Sequence, residues 1–475
     1  MPAARAVMRP LFLLALSSVA TLLAACGGGS RDGASAGTGG SADNLCGETA
    51  RKQWVLNVTR EWYLFPDLLP ASVDAASYAT AEDLLDALTA TARAQGKDRF
   101  FSYLTTKSAE DSLLGEGQFV GFGFRSRTDT GNRPFILDVF EGSPAAEAGL
   151  QRGDEAIAVD QGSGFVPLSQ SLADGTTSFT DLLGTADVGV QRGLRVLRNG
   201  QAIDVQLTKR TVTIDPVPDT FGTRILTLED NTTRVGYLNL RSYISSADPQ
   251  LRAAFEDFRA QNLHYFIIDL RYNGGGLVST AELVDNLLGG DRTSTEVQYA
   301  IQHSARKSNQ DSTVRFQPQA QSVRPVRIAF LTTDATASAS EININTMRSW
   351  VEVAIVGSDT YGKPVGQLAF DLANACQDRL RLVTFRTLNA EGAGDYYDGL
   401  ASSMRFACAA SDTLGAPMGA VADSLTQAAL QWINTGACAS VISSLVGAQA
   451  KTSPSTRYPL SRKPSAVERW MPGVQ

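Results

Sequence analysis

Two side chains in this sequence have the types and settings for covalent chemistry. Ser338 lies in Thr336-Ala337-Ser338-Ala339-Ser340-Glu341, and Lys363 lies in Tyr361-Gly362-Lys363; each short loop follows an apolar stretch. A serine hydroxyl needs a base before it attacks a carbonyl, and a lysine amine can be that base when desolvation leaves it neutral. The chain has 2 histidines. His264 precedes an apolar stretch on the side away from its carboxyl end, and His303 sits in a polar segment, so a Ser-His-Asp arrangement is disfavoured. Ser340 is a rival nucleophile by proximity alone; its other reading is a helix cap. Asp269 and Arg271 read as charges that pair with each other, because charged groups at strand ends avoid being buried alone.

The elements around these residues alternate. Residues 235–240, 265–270, 327–332 and 353–357 are apolar runs of strand length, and residues 248–261, 279–288 and 340–350 have helical patterning. That order predicts a parallel βαβ arrangement, which reacts at the carboxyl ends of its strands. Three loops follow such ends: Gly274-Gly275-Gly276, the Ser338 loop and the Lys363 loop. If strands 327–332 and 353–357 are neighbours, Ser338 and Lys363 meet at one sheet edge. Ser338 would then precede a helix, whose first N–H groups, that of Ala339 included, face a developing oxyanion. The polar residues 302–322 read as a loop or hairpin.

Upstream, Trp54, Val55, Val58 and Trp62, then Ala81, Leu84, Leu85 and Leu88, fall at helical spacing. From residue 118 the pattern turns to short strands, with Asn199-Gly200 as a hairpin signal. Gly121-Phe122-Gly123-Phe124 begins this region.

Composition narrows the partners. With 42 Lys plus Arg against 49 Asp plus Glu and a net charge of −7, the chain has no electrostatic footprint for nucleic acid. Arg5 and Arg9, the apolar run from Leu11 and Leu23-Ala24-Ala25-Cys26 read as an export signal, and the last four residues resemble a bacterial lipobox with Cys26 as the lipidated residue. The expected place is a bacterial envelope membrane, facing the periplasm, held by acyl chains at Cys26. Cys46, Cys376, Cys408 and Cys438 remain, an even number in an oxidising compartment; the preferred pairing is Cys376 with Cys408 and Cys46 with Cys438. With no CxxC pair and so few histidines, a zinc site is not expected.

The strings around Ser338 and Lys363, 25 residues apart and with Gln367 beyond, resemble the signature of the tail-specific (C-terminal processing) serine peptidases. The resemblance implies Ser338 as nucleophile, Lys363 as general base and Gln367 as the residue that orients it. The run from Asp269 to Gly276 is similar to the family's glycine turn, which implies an oxyanion hole from the N–H groups of Gly276 and Ala339, with Gly275 in reserve. Residues 142–150 and Gly121-Phe122-Gly123-Phe124 resemble a PDZ domain over roughly Gln118 to Arg210, which implies that the latter stretch holds a peptide's terminal carboxylate with successive N–H groups while the neighbouring strand takes the peptide as an added strand. Tyr396-Tyr397-Asp398-Gly399 and the stretch from Leu425 to Trp432 extend the likeness, which runs from about Trp54 to Trp432. Pro364, Ser358-Asp359 and extra residues between Gly162 and Gly184 depart from the pattern without removing a catalytic atom.

The implied fold is multidomain α/β. It divides into a lipoprotein signal peptide (1–25), a linker (26–45), a helical N-terminal domain (46–117), a PDZ-like β-rich domain (118–210), a crotonase/Clp-protease-like α/β catalytic domain (211–445) and a poorly ordered tail (446–475). The implied activity is cofactor-free endopeptidase cleavage of exported proteins with exposed C-termini, with an adaptor or a second copy as a compatible partner. The contrasting reading is a lipid-anchored, catalytically silent peptide-binding scaffold on the same fold.

Overall fold

The computed structural model describes residues 45–173, 175–373, 375–442, 468 and 471–475. Cys26, the 1–25 leader and nearly all of the 26–45 linker lie outside these residues. Among the described residues no helix is long and apolar enough to cross a membrane.

The apolar runs assemble into a six-stranded sheet in the order Thr223–Thr227, Arg234–Asn239, Tyr265–Asp269, Arg327–Thr332, Glu352–Gly357 and Phe406–Ala409. The first pair is antiparallel and all others are parallel. Strands buried on both faces read as continuous apolar sequence, and these are covered on both. One face packs helices Ala247–Ala260, Val278–Leu288 and Ala339–Met347. The first of these presents Leu251, Ala254, Phe255 and Phe258, an i, i+3, i+4, i+7 stripe, with the two phenylalanine rings against Phe266. Full burial of each such large side chain contributes roughly 1.5–3 kcal/mol. The opposite face packs helix Ser424–Thr435, with Trp432 against Phe406.

Register sets the working edge. Asp269 pairs with Leu331, and Thr332 with Gly357, so three successive strands end level and their loops share one side of the sheet.

A second, five-stranded antiparallel sheet joins Tyr103–Thr106, Asp378–Asn389, Val297–His303, Ser312–Arg315 and Val365–Asp371. Residues 302–322 thus hold the turn and second strand of a hairpin whose first strand starts at Val297. Helices Glu48–Trp62 and Ala81–Ala94 pack on this sheet through Val55, Leu84, Leu85 and Leu88 against Leu380, Leu382 and Val383.

Residues 124–208 form a separate antiparallel sheet with its own core around Phe122, Phe124, Ile136, Leu194 and Val196. Strand Gln118–Gly121 pairs with Arg210–Thr213 where this β-rich module joins the rest. Charges fasten it: Arg241 meets Asp138 at 2.9 Å and Glu141 at 2.5 Å, and Arg152 meets Asp412 at 2.6 Å.

The expected cysteine pairing needs correction. The disulfides are Cys46–Cys376 and Cys408–Cys438, not Cys376 with Cys408 and Cys46 with Cys438. Cys46 leads into the first helix, whose Arg51 bonds Asp378 beside Cys376; Cys408, on the last parallel strand, faces the returning chain at Val441. Sequence spacing carries neither adjacency. Most of the 446–475 tail lies outside the described residues; within 471–475, Met471 and Val474 are buried and Val474 bridges Arg125.

Candidate active site

Ser338 stands immediately before helix Ala339–Met347 with φ 58° and ψ −114°, a conformation uncommon for any residue but glycine. Such strain costs on the order of 1–3 kcal/mol and persists only where its surroundings over-determine it. Here they do. Ala337 N–H donates to the Asn273 carbonyl at 3.0 Å, the Ser340 hydroxyl to the same oxygen at 3.0 Å, and the Thr336 hydroxyl to the Leu270 carbonyl at 2.9 Å. Ser340 therefore ties the Ser338 loop to the glycine turn and is not the helix cap that its position suggested.

The glycine turn is pressed against this loop. A Cβ on Gly275 would stand 2.8 Å from Ser338 Cβ and 3.0 Å from the Ala339 nitrogen, and one on Gly276 (φ +143°) would stand 2.1 Å from the Tyr243 carbonyl oxygen. The Gly275 N–H is already bonded to Asn273 Oδ1 at 2.9 Å. Ser338, Lys363, Gln367 and Gly276 all line one cavity of about 310 Å³, which Leu114, Leu277 and Ile342 also line.

Glu341 fastens the two chemical loops to each other. Its carboxylate accepts from Ser338 N–H at 2.9 Å, Lys363 N–H at 2.8 Å and Gly362 N–H at 2.7 Å. Complete burial pushes this carboxyl above its ordinary value, while the Thr360 hydroxyl and the three N–H groups pull the other way. In the sequence Glu341 is only the last residue of the Ser338 string. Its spacing from Ser338, Ser-x-x-Glu at the start of a helix, was the available signal.

The N-terminal region supplies a second missed support. Arg99 donates to the Tyr361 carbonyl at 2.9 Å and also to the Gly362 carbonyl, and its guanidinium lies 4.1 Å from the Tyr361 ring centroid. Lys363 Nζ sits 5.0 Å from the centroid of Phe101, and the Gln367 amide donates to the Phe101 carbonyl at 2.8 Å. Lys363 and Ser338 are 6% and 8% exposed, so both are nearly withdrawn from water yet reach the cavity.

Arg271 lies behind the glycine turn in a closed ionic cluster. It bonds Asp269 at 2.9 Å, Asp423 at 2.6 Å and Asp412 at 3.1 Å, and Tyr237 donates to Asp269 at 2.6 Å. Burial pushes the Asp269 carboxyl up against the pull of Arg271 and Tyr237. These charges pair and brace the turn, away from the cavity. His264 bonds the Arg324 carbonyl and His303 lies beside Asp311. Among the described residues no group of three or more His, Cys, Asp or Glu side chains could hold a metal ion.

Gly121, Phe122, Gly123 and Phe124 lie apart from the cavity, at the edge of the β-rich module. Phe122 and Phe124 bury their rings in its core, which leaves backbone to face outward. Arg125, on the same strand, donates to the Tyr272 carbonyl at 2.5 Å, one residue before Asn273.

Comparison with known proteins places these observations. Residues 234–397 match peptidase family S41, and residues 50–103 match the peptidase S41 N-terminal domain. Over these residues the chain carries two domains of peptidase family S41. It is 26% identical over 280 residues to the carboxyl-terminal-processing protease of Synechocystis sp., covering 58% of this chain and 60% of that one. Against the chloroplastic C-terminal processing peptidase of Tetradesmus obliquus it is 27% identical over 283 residues, 57% of each. The chain thus spans little more than half the length of the curated relatives it matches. A solved structure from Bacteroides fragilis assigned to the S41 proteases has a TM-score of 0.61 at 24% identity, covering 81% of this chain and 97% of that one, a likeness of fold.

Proposed function

We propose that this chain is a serine endopeptidase of the C-terminal processing type, acting through Ser338 and Lys363. The observation that carries the proposal is the shared cavity: a strained serine, a buried lysine and a glycine turn face one space. Ser338 Oγ attacks the peptide carbonyl carbon as its proton passes to Lys363 Nζ. The oxyanion meets the N–H groups of Gly276 and Ala339, since the Gly275 N–H is committed to Asn273. Collapse breaks the C–N bond, and Lys363 returns the proton to the departing amine. Water, deprotonated by the same lysine, then releases the Ser338 ester. Gln367 and Glu341 are positioning residues for this pair, and no cofactor enters the sequence.

The β-rich module of residues 118–210 is proposed as a PDZ-like module that takes an exposed C-terminal tail along Gly121, Phe122, Gly123 and Phe124. Lipidation at Cys26 would hold the enzyme at an envelope membrane facing the periplasm, among exported substrates. The test is cleavage of an unfolded protein with an apolar C-terminus by the full chain, Ser338→Ala and Lys363→Ala. Activity in the parent with loss of about 10⁴-fold in both folded variants is expected. Undiminished cleavage by either variant would overturn the assignment, and an inert parent would favour the silent scaffold.

A further inference from the structure

The groove beside Gly121 to Phe124 is occupied by the chain itself. Phe122 and Gly123 N–H donate to one Gln475 backbone oxygen at 3.1 and 2.9 Å, and Gln475 N–H donates to the Phe124 carbonyl at 2.8 Å. Ser126 N–H donates to the Gly473 carbonyl at 2.8 Å, and Val474 pairs with Arg125 in antiparallel sense. The Gln475 side chain reaches the Thr180 hydroxyl at 2.8 Å. This is strand addition, with an oxygen held by two successive N–H groups at its end.

The side chains of the segment suit the place. Met471 and Val474 are 0% and 3% exposed, filling an apolar cluster with Leu113, Phe119, Phe140 and Ile244. Leu114 and Leu277, which touch the same cluster, also line the cavity of Ser338. Gly473 has φ +76°, and a Cβ there would stand 2.2 Å from the Ser126 carbonyl oxygen, so only glycine allows this approach.

We propose that residues 471–475 are a resident intramolecular ligand of this groove, excluding the C-terminal tails of other chains until displaced. The inference rests on the reading of the groove as a tail-capture site. A covalently attached ligand competes at an effective concentration on the order of 1 mM for short linkers. An intrinsic Kd of about 0.1 mM would then leave about one groove in ten open and weaken any competitor about tenfold.

The experiment is fluorescence anisotropy with a labelled Met-Pro-Gly-Val-Gln peptide bearing a free carboxylate. It is titrated with the full chain, with Gly473→Val, and with a chain lacking residues 471–475. Both altered chains should bind at least about tenfold tighter than the parent. Equal, measurable binding to all three would overturn self-occupancy and leave tail capture standing. Binding to none would remove tail capture, and this inference with it.

Discussion

The catalytic edge and the β-rich module are held to the same sheet by different forces. Around Ser338 the bonds are short, buried and mostly to backbone: Asn273 and Leu270 carbonyls on one side, three N–H groups on Glu341 on the other. The module is fastened by side-chain charges, Arg241 to Asp138 and Glu141 and Arg152 to Asp412, across a joint between two separate cores. At the catalytic edge the bonds run to several backbone groups inside one core, and three of them converge on the single carboxylate of Glu341. Charge pairs across a joint depend on pH and on each partner, so the module is where adjustment is cheapest.

Four substitutions can break or sharpen this contrast. At the edge, Ser338→Ala or Lys363→Ala should lower kcat/KM by about 10⁴-fold with unchanged melting, because groups that act as one unit fail together. At the joint, Asp138→Asn should cost about 3 kcal/mol in denaturant unfolding, because it removes the buried, two-bond partner of Arg241 and leaves it only the half-buried Glu141. Its pH signature is separate. Burial pushes the Asp138 carboxyl up, but Arg241 outweighs it and holds the group below its ordinary 3.8. The stability it contributes is therefore fully present above about pH 4 and lost as pH falls through the depressed value. The parent should lose stability there on acidification, while Asp138→Asn should show no such loss; parallel curves would refute the assignment.

Glu341→Gln keeps the shape but turns an amide N–H₂ toward N–H donors that the carboxylate accepted. A kcat loss of about 10²-fold at nearly constant KM is expected, and a pure KM effect would mean that Glu341 shapes binding and not the reacting pair. The smallest effect concerns the disulfides. In the chain-entropy model, losing Cys46–Cys376, with 330 residues of separation, should cost about 2 kcal/mol more than losing Cys408–Cys438, with 30. Chemical denaturation of the two Cys→Ser pairs under oxidising conditions reads the difference.

Much of the parallel sheet could be read from sequence, because strands buried on both faces must be apolar throughout and helices between them must show a stripe. The loops of Ser338, Lys363 and Gly276 followed from strand ends, and the roles expected within them from the resemblance to the C-terminal processing peptidases. What escaped were contacts set by tertiary proximity. Arg99 is 262 residues from the Tyr361 carbonyl it bonds, and nothing in its local sequence marks it. The alternation in Asp378–Asn389 offered a strand signal, but its pairing with Tyr103–Thr106 needed the fold. The polar, proline-bearing end of the chain looked unfit for a core, yet Met471 and Val474 need only a groove with open N–H groups.

The most direct test of Ser338 and Lys363 as nucleophile and base is covalent. The full chain, Lys363→Ala and Ser338→Ala would be treated with a fluorophosphonate and mapped by peptide mass spectrometry. The expected result is one adduct on Ser338 in the parent and none at that rate in either variant. An adduct on Ser340, or equal labelling of Ser338 without Lys363, would contradict the assignment.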